Sequence, residues 1–176
     1  EADRPRMKGE ALFLRAMFHF ELIKRYGSIP YVDVVLTTET AGSVPQLTFD
    51  QVVSRIVADC DSAMLVLPDA NDDANKGRAV KSSAMALESR ILLYAASPLN
   101  NPGNDLEKWN KAAKAALALI NMKGATIGLE TKYENVFVTP YSKEVLFATQ
   151  ALNTNDFEKG NFPLSYGGRG LTNPTQ

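Results

Sequence analysis

Apolar and polar positions alternate with a helical period along most of the chain. In the stretch from Gly9 to Tyr31, GEALFLRAMFHFELIKRYGSIPY, one apolar stripe is formed by Leu12, Ala16, Phe20 and Ile23 and widened by Phe13 and Met17. Leu14, Phe18 and Leu22 form a second. A helix apolar on several faces belongs inside a core or a membrane. Arg15, His19, Glu21, Lys24 and Arg25 break any run long enough to span a bilayer. The expectation is a helix from about Arg6 to Tyr26, sandwiched between others, with Gly27 just past its end and Pro30 as a stop.

Three further helices carry their own punctuation. LTFDQV announces the second: Thr48 can cap, Gln51 stands at the capping-box distance, and Leu47 can staple onto Val52. This helix is expected to bury Val53, Ile56, Val57, Cys60, Met64 and Leu67 and to stop at Pro68. The third, about Ala79 to Ala96, presents Ala84, Leu87, Ile91 and Tyr94 and is closed by Ser97-Pro98. The fourth starts near Asn104, with Glu107 at the capping-box distance, shows a face of Trp109, Ala113, Ala116 and Ile120, and ends at Gly124. Between the first two helices a short extended piece over Tyr31 to Leu36 interrupts a loop. EVLFATQ, 144–150, reads as a strand or a short helix, and Asn153 to Gln176 as a long loop structured by contact. Alanines at helix contact points give the logic of tetratricopeptide-type stacking, although no strict period repeats.

Composition narrows the function. The 176 residues are 45% hydrophobic, which suits one globular domain with a real core. The 19 basic and 20 acidic residues are evenly scattered and leave a net charge of −1, so no electrostatic footprint for nucleic acid or anionic lipid exists. The single cysteine, Cys60, reads as a small buried hydrophobe. The chain begins with Glu1, and no charged segment followed by an apolar one opens it, so either a mature product or a piece of something longer is expected; its turn-rich end favours the piece.

Catalytic chemistry is poorly supplied. His19 is the only histidine, so a metal site or a serine triad would depend on it, and a structural or surface role is expected instead. Asp69, Asn71, Asp73 and Asn75 alternate as in a calcium loop, but Ala74 and Val80 replace the required Gly and Glu, leaving a polar interhelical loop. Asp59 and Asp61 face different directions and are no acid/base pair. GGRG, 167–170, lacks the context of a phosphate loop and reads as a turn. Phe157, Phe162 and Tyr166 lie among Asn and Gly; aromatic faces beside amides suit a sugar, and tacking the loop onto the helical body is the simpler alternative. No metal and no cofactor is expected.

The order of these patterns resembles the SusD/RagB-like family of surface nutrient-binding lipoproteins. GEALFLRAMFHFELIKRYGSIPYV is similar to that family's A-E-A-x-F-L-R-A-x-x-Y-F-x-L-x-x-x-Y-G-x-x-P, carried by Glu10, Ala11, Phe13, Leu14, Arg15, Ala16, Phe20, Leu22, Tyr26, Gly27 and Pro30. TFDQVVSRIVADCDSAMLVLP, GRAVKSSAMALESRILLYAAS, WNKAAKAALALI, YENVFVTPYSKEVLFATQ and the terminal PTQ follow in the family's order, with Cys60 where Leu is usual. The resemblance implies an all-α fold of tetratricopeptide-like stacked helical hairpins with long loops, part of a larger SusD-like fold: residues 1–152 the helical region, 153–176 the loop-rich start of a following one. It also implies a non-catalytic binder of oligosaccharides, or sometimes peptides. Such a protein sits on the outer face of the outer membrane, held by a lipid anchor absent from this chain, as the lid of a TonB-dependent β-barrel transporter of the SusC type. A helical-repeat protein–protein adaptor is the alternative. Arg15, Arg78 and Arg90 match scaffold positions whose charged heads satisfy buried carbonyls or carboxylates. Asn100, Phe162 and Tyr166, aromatic or amide groups in expected loops, are the candidate ligand contacts.

Overall fold

The computed structural model describes residues 3–122, 124, 127–148 and 156–169, the side chains of 156–158 excepted. Four long helices follow one another: α1, Arg4–Tyr26; α2, Phe49–Met64; α3, Lys81–Ala96; and α4, Leu106–Asn121. Each packs on the next, α1 on α2, α2 on α3 and α3 on α4, which is the layered all-α arrangement the sequence pattern predicts. Two short helices, α5 (Asn135–Val138) and α6 (Asp156–Asn161), lie in the C-terminal portion. No helix among the described residues is long and apolar enough to cross a membrane.

Local chemistry accounts for the helix ends. Thr48 accepts from the Gln51 N–H while the Gln51 side chain accepts from the Thr48 N–H, so the capping box before α2 forms as read. Leu47 packs against the cluster containing Val52. α1 carries Pro5 in its first turn, and the N–H of Gly27 closes its last turn on the carbonyl of Ile23 at 3.0 Å. α4 begins at Leu106 rather than near Asn104, because Asn104 adopts φ 50 and Asp105 takes over the cap, accepting from the Glu107 N–H at 2.9 Å. It ends at Asn121, before Gly124.

The core lies mainly between α1, α2 and α3. Ala16, Phe20 and Ile23 of α1 meet Val52, Ile56 and Cys60 of α2 and Ile91 of α3, and a second cluster joins Phe13 to Ala63, Leu67 and Ala84. Gly9 brings the start of α1 against the end of α2: a Cβ there would stand 2.8 Å from Val66 Cγ2 and 2.9 Å from Leu67 Cγ. A side chain at that position would displace the Val66 and Leu67 side chains that follow α2.

Several expectations are corrected. Among the described residues α1 is covered on one side only. Its second stripe, Leu14, Phe18 and Leu22, is 36%, 59% and 43% exposed, because α2 alone lies broadly against it. Leu12, Val57 and Met64 are half-buried, while Val52 and Ala63 are fully buried. Tyr94 is 39% exposed, although its ring makes a T-shaped contact with that of Phe20, the centroids 5.2 Å apart. α4 buries Ala112 and half-buries Ala115, Leu119 and, of the expected face, Ala116, whereas Trp109, Ala113 and Ile120 are exposed. In this orientation Lys108 reaches Asp50 Oδ1 at 2.8 Å and the Asn100 carbonyl at 3.1 Å, and Trp109 remains on the rim, donating to Asn104 Oδ1 at 3.1 Å. The extended backbone sits earlier than Tyr31–Leu36: Ile29 pairs with Leu47 and Pro30 with Gln46, antiparallel. Residues 144–148 are neither strand nor helix, and 149–150 lie outside the described residues, as do 151–155 and the terminal Pro-Thr-Gln. The tail read as a loop contains α6 and a 3₁₀ turn, Leu164–Tyr166.

Replacing Phe20, which is fully enclosed, with alanine should cost about 3–5 kcal/mol in urea unfolding. An unchanged midpoint would contradict this account of the core.

Candidate functional site

Two charged constellations knit the helices. Arg15 on α1 donates from Nε to Asp59 Oδ2 at 2.6 Å and from Nη2 to Oδ1, a bidentate pair across to α2. The Tyr31 hydroxyl donates to the same carboxylate, and Arg15 Nη1 reaches the Asp33 carbonyl at 3.3 Å. His19, one turn after Arg15, is buried with its ring 4.2 Å from that of Tyr31. Its Nδ1 faces the Arg15 carbonyl at 2.9 Å and therefore carries the proton, while Nε2 accepts from the Val32 N–H at 3.4 Å. The Asp59 hydrogen bonds push the Arg15 guanidinium further up, and burial followed by the bond to Asp59 raises the Tyr31 phenol. This cluster anchors the segment after α1 to the core and leaves His19 as the structural histidine the sequence suggests.

The second constellation holds the loop between α2 and α3. Arg78 donates to Glu10 from Nε at 2.8 Å and from Nη2 at 2.6 Å, and Arg6 donates to Glu10 at 3.2 Å. Asn71 accepts from Arg6 and donates to the Arg78 carbonyl at 2.7 Å, and Arg78 Nη1 also reaches Asn75 at 2.8 Å. The alternating Asp/Asn loop is thus strapped to the start of α1, and Asp72 caps its 3₁₀ turn, Asp73–Asn75. Burial works to raise the Glu10 carboxyl, but the bonds from Arg78 and Arg6 outweigh it and hold it below its ordinary value of 4.5. Arg15 and Arg78 serve as the expected scaffold cations. Arg90 does not: it is exposed and makes no such pair among the described residues.

Two concave surfaces result. The first, about 430 Å³, lies between the 69–80 loop and the 127–148 segment. Its far wall is fastened where Ser83 donates to the Leu146 carbonyl at 2.6 Å and where Phe147 meets Phe13 edge-on at 4.8 Å. The second, about 800 Å³, is a groove over α3 between α2 and α4. Val57, Met64, Met85 and Leu92 give it apolar walls, Lys111 and Lys114 line it on the α4 side, and Glu88 lies in it with its carboxyl raised by burial and by Asp61. Cys60 is fully buried, and burial pushes its thiol up, so it is a packed apolar group and not a nucleophile.

The three candidate ligand contacts do not converge through any contact among the described residues. Asn100 donates to the Tyr94 carbonyl at 3.0 Å, closing the end of α3. Phe162 and Tyr166 are exposed and share one short segment. There the turn expected at Gly167-Gly168 forms tightly, since Gly167 has φ 77 and a Cβ on Gly168 would strike the Phe162 carbonyl. Gly170 and the Phe157 side chain lie outside the described residues. Tyr31 and the pairing role of Asp59 were missed by sequence reasoning: nothing local distinguishes them, and only the facing of Arg15 with Asp59 in the folded chain does.

Asp59→Ala should cost about 3–5 kcal/mol by chemical denaturation, because Arg15 would be left part-buried without its partner. The lowered Glu10 carboxyl means that the native state binds fewer protons than the unfolded chain in the acid range. Its stabilisation is therefore present above the ordinary value of 4.5 and lost as pH falls through and below it. Glu10→Gln should lower stability at neutral pH and flatten the acid limb of a stability–pH curve; a parallel curve would refute the assignment.

Comparison with known proteins matches this arrangement to one family. Residues 1–93 match the model of a SusD-like family described as starch-binding and associating with the outer membrane. SusD-like protein P2 of Formosa agariphila is 29% identical over 143 residues, covering 78% of this chain and 26% of that protein. A SusD-like carbohydrate-binding protein of Bacteroides fragilis superposes with TM-score 0.78 at 26% identity, covering 99% of this chain and 33% of its own. A second SusD-like protein of that organism gives TM-score 0.73 at 29% identity, covering 89% and 29%. The fold is shared also by a laminarin-binding SusD-like protein, at TM-score 0.68 and 23% identity, covering 82% and 31%. The chain thus spans about a quarter of that curated relative and a third or less of these solved structures. The match of residues 1–93, just over half of the chain, makes this chain a member of the SusD-like family.

Proposed function

We propose that the protein to which this chain belongs is a non-catalytic glycan-binding subunit of an outer-membrane import complex. It captures oligosaccharides, or in some cases peptides, on the outer face, where a lipid anchor holds it against a TonB-dependent β-barrel of the SusC type. Residues 1–152 form the helical region of that protein, and 153–176 open the region that follows. The single observation carrying this reading is the match of residues 1–93 to a starch-binding, outer-membrane-associating family. The charge pattern supports it: the part-buried Arg15, Asp59 and Glu10, with the more exposed Arg78, are spent on pairs between structural elements, an arrangement that stiffens a scaffold and leaves recognition to its loops. Within those loops, the exposed rings of Phe162 and Tyr166 and the amide of Asn100 are proposed as ligand contacts.

Titration calorimetry of the full-length protein against starch-derived and laminarin-derived oligosaccharides and a peptide panel tests the proposal. Saturable binding without turnover of the ligand is expected, weakened about tenfold by Tyr166→Ala through the loss of one buried aromatic face. Silence across all ligands would refute it.

A further inference from the structure

The groove of about 800 Å³ is lined by helices rather than by loops. α2 and α4 both pack on α3, and the Asp50–Lys108 pair ties one to the other, so the three helices form a trough with α3 as its floor. Val57 and Met64 from α2 and Met85 and Leu92 from α3 line it and are only half-buried. Apolar surface left open in a concavity and rimmed by charge is the pattern of an interaction site. Among the described residues no aromatic ring lines the groove, so it has no flat face on which a sugar could stack. Its methionines are flexible side chains that adapt to the shape of a partner.

The charges in the groove are unspent. Glu88 lies one turn from both Met85 and Leu92 on α3 and takes part in no hydrogen bond or ion pair among the described residues. Its surroundings, part-buried and close to the like charge of Asp61, call for a cation. Lys111 and Lys114 line the α4 wall, exposed and likewise without such a bond or pair among the described residues, whereas Lys108 is occupied by Asp50 and the Asn100 carbonyl. A carboxylate amid methionine and leucine, with two ammonium groups along one wall, is complementary to a segment that carries a cation among apolar residues and an acid at its flank. A trough between two helices accepts a third by the same packing that seats α2 and α4 on α3. We infer that the groove is a docking site for an amphipathic helix of a partner protein. That helix rests its apolar face on Met64, Met85 and Leu92, sets a lysine or arginine against Glu88, and brings an aspartate or glutamate to Lys111 or Lys114. This surface is separate from Phe162, Tyr166 and Asn100 and does not depend on the glycan-binding reading.

The test selects a phage-displayed library of random peptides on the full-length protein and measures the enriched sequences, as free labelled peptides, by fluorescence anisotropy. Enrichment of apolar residues at helical spacing around one lysine or arginine is expected. Glu88→Gln should weaken such a peptide about tenfold, and Lys111→Glu combined with Lys114→Glu about fivefold. Glu88→Arg should reverse the preference: the same peptide with its cation changed to glutamate should bind this variant better than the original peptide does. Glu88→Gln should leave the melting temperature and the saccharide titration unchanged, since the carboxylate holds no bond within the described residues. Absence of enrichment, the result if another part of the same protein or a second copy fills the trough, overturns the docking site. Binding that survives both the Glu88→Gln and the lysine changes overturns it as well. A melting temperature that falls in step with peptide affinity marks structural charges and has the same consequence.

Discussion

The bidentate pairing of Arg15 with Asp59 is the constraint around which the helical stack is organised. It joins α1 to α2 at the level where Tyr31 folds back onto both, and it is satisfied on nearly all sides by hydrogen bonds. A carboxylate so enclosed cannot be moved without exposing an uncompensated charge to a medium of low polarity. That fixes the rotation of α1: Phe13, Ala16, Phe20 and Ile23 face the core, and Leu14, Phe18 and Leu22 face the other way. His19, bonded to the Arg15 carbonyl and the Val32 N–H, carries the same constraint into the chain that follows α1.

The Glu10 and Arg78 pair does for a loop what Arg15 and Asp59 do for helices. Loops of Asp and Asn are ordinarily the mobile parts of a helical scaffold. Here the 69–80 loop is tied by charge-assisted bonds to α1 and by the Lys81 N–H to the Pro68 carbonyl. The segment ending at Phe147 is tied in turn to the start of α3 and to Phe13. A concavity bordered by two fastened walls is a different object from one bordered by free loops, because the entropic cost of holding a ligand has been met during folding.

Charge placement separates scaffold from surface in the same way. Asp59 and Glu10, the most buried carboxylates of the ion pairs, each have a partner distant in sequence, Arg15 and Arg78, whereas Glu21, 42% exposed, pairs with Lys24 and Arg25 within one helix, contacts that contribute little. Cys60 sits in the apolar interior with its thiol disfavoured as an anion, so it contributes packing alone.

What the sequence determined by itself is local: the Thr48 and Gln51 box, Gly27 after Tyr26, the apolar period of four helices and the ordered motifs of the family all act within a few residues of where they are written. Periodicity records which side of a helix is apolar, not which apolar side meets a partner, so Leu14, Phe18 and Leu22 read as buried as readily as Phe13 and Phe20. The inward face of α4 was likewise not written in its own period, and its packing on α3 decided that Ala112 is the buried position. Tertiary structure alone decided that Asp59 is the partner of Arg15, 44 residues away, and that Ser82 and Tyr141 border one cleft. The reason is physical: burial and pairing belong to the space between elements, and no stretch of chain contains both sides of it.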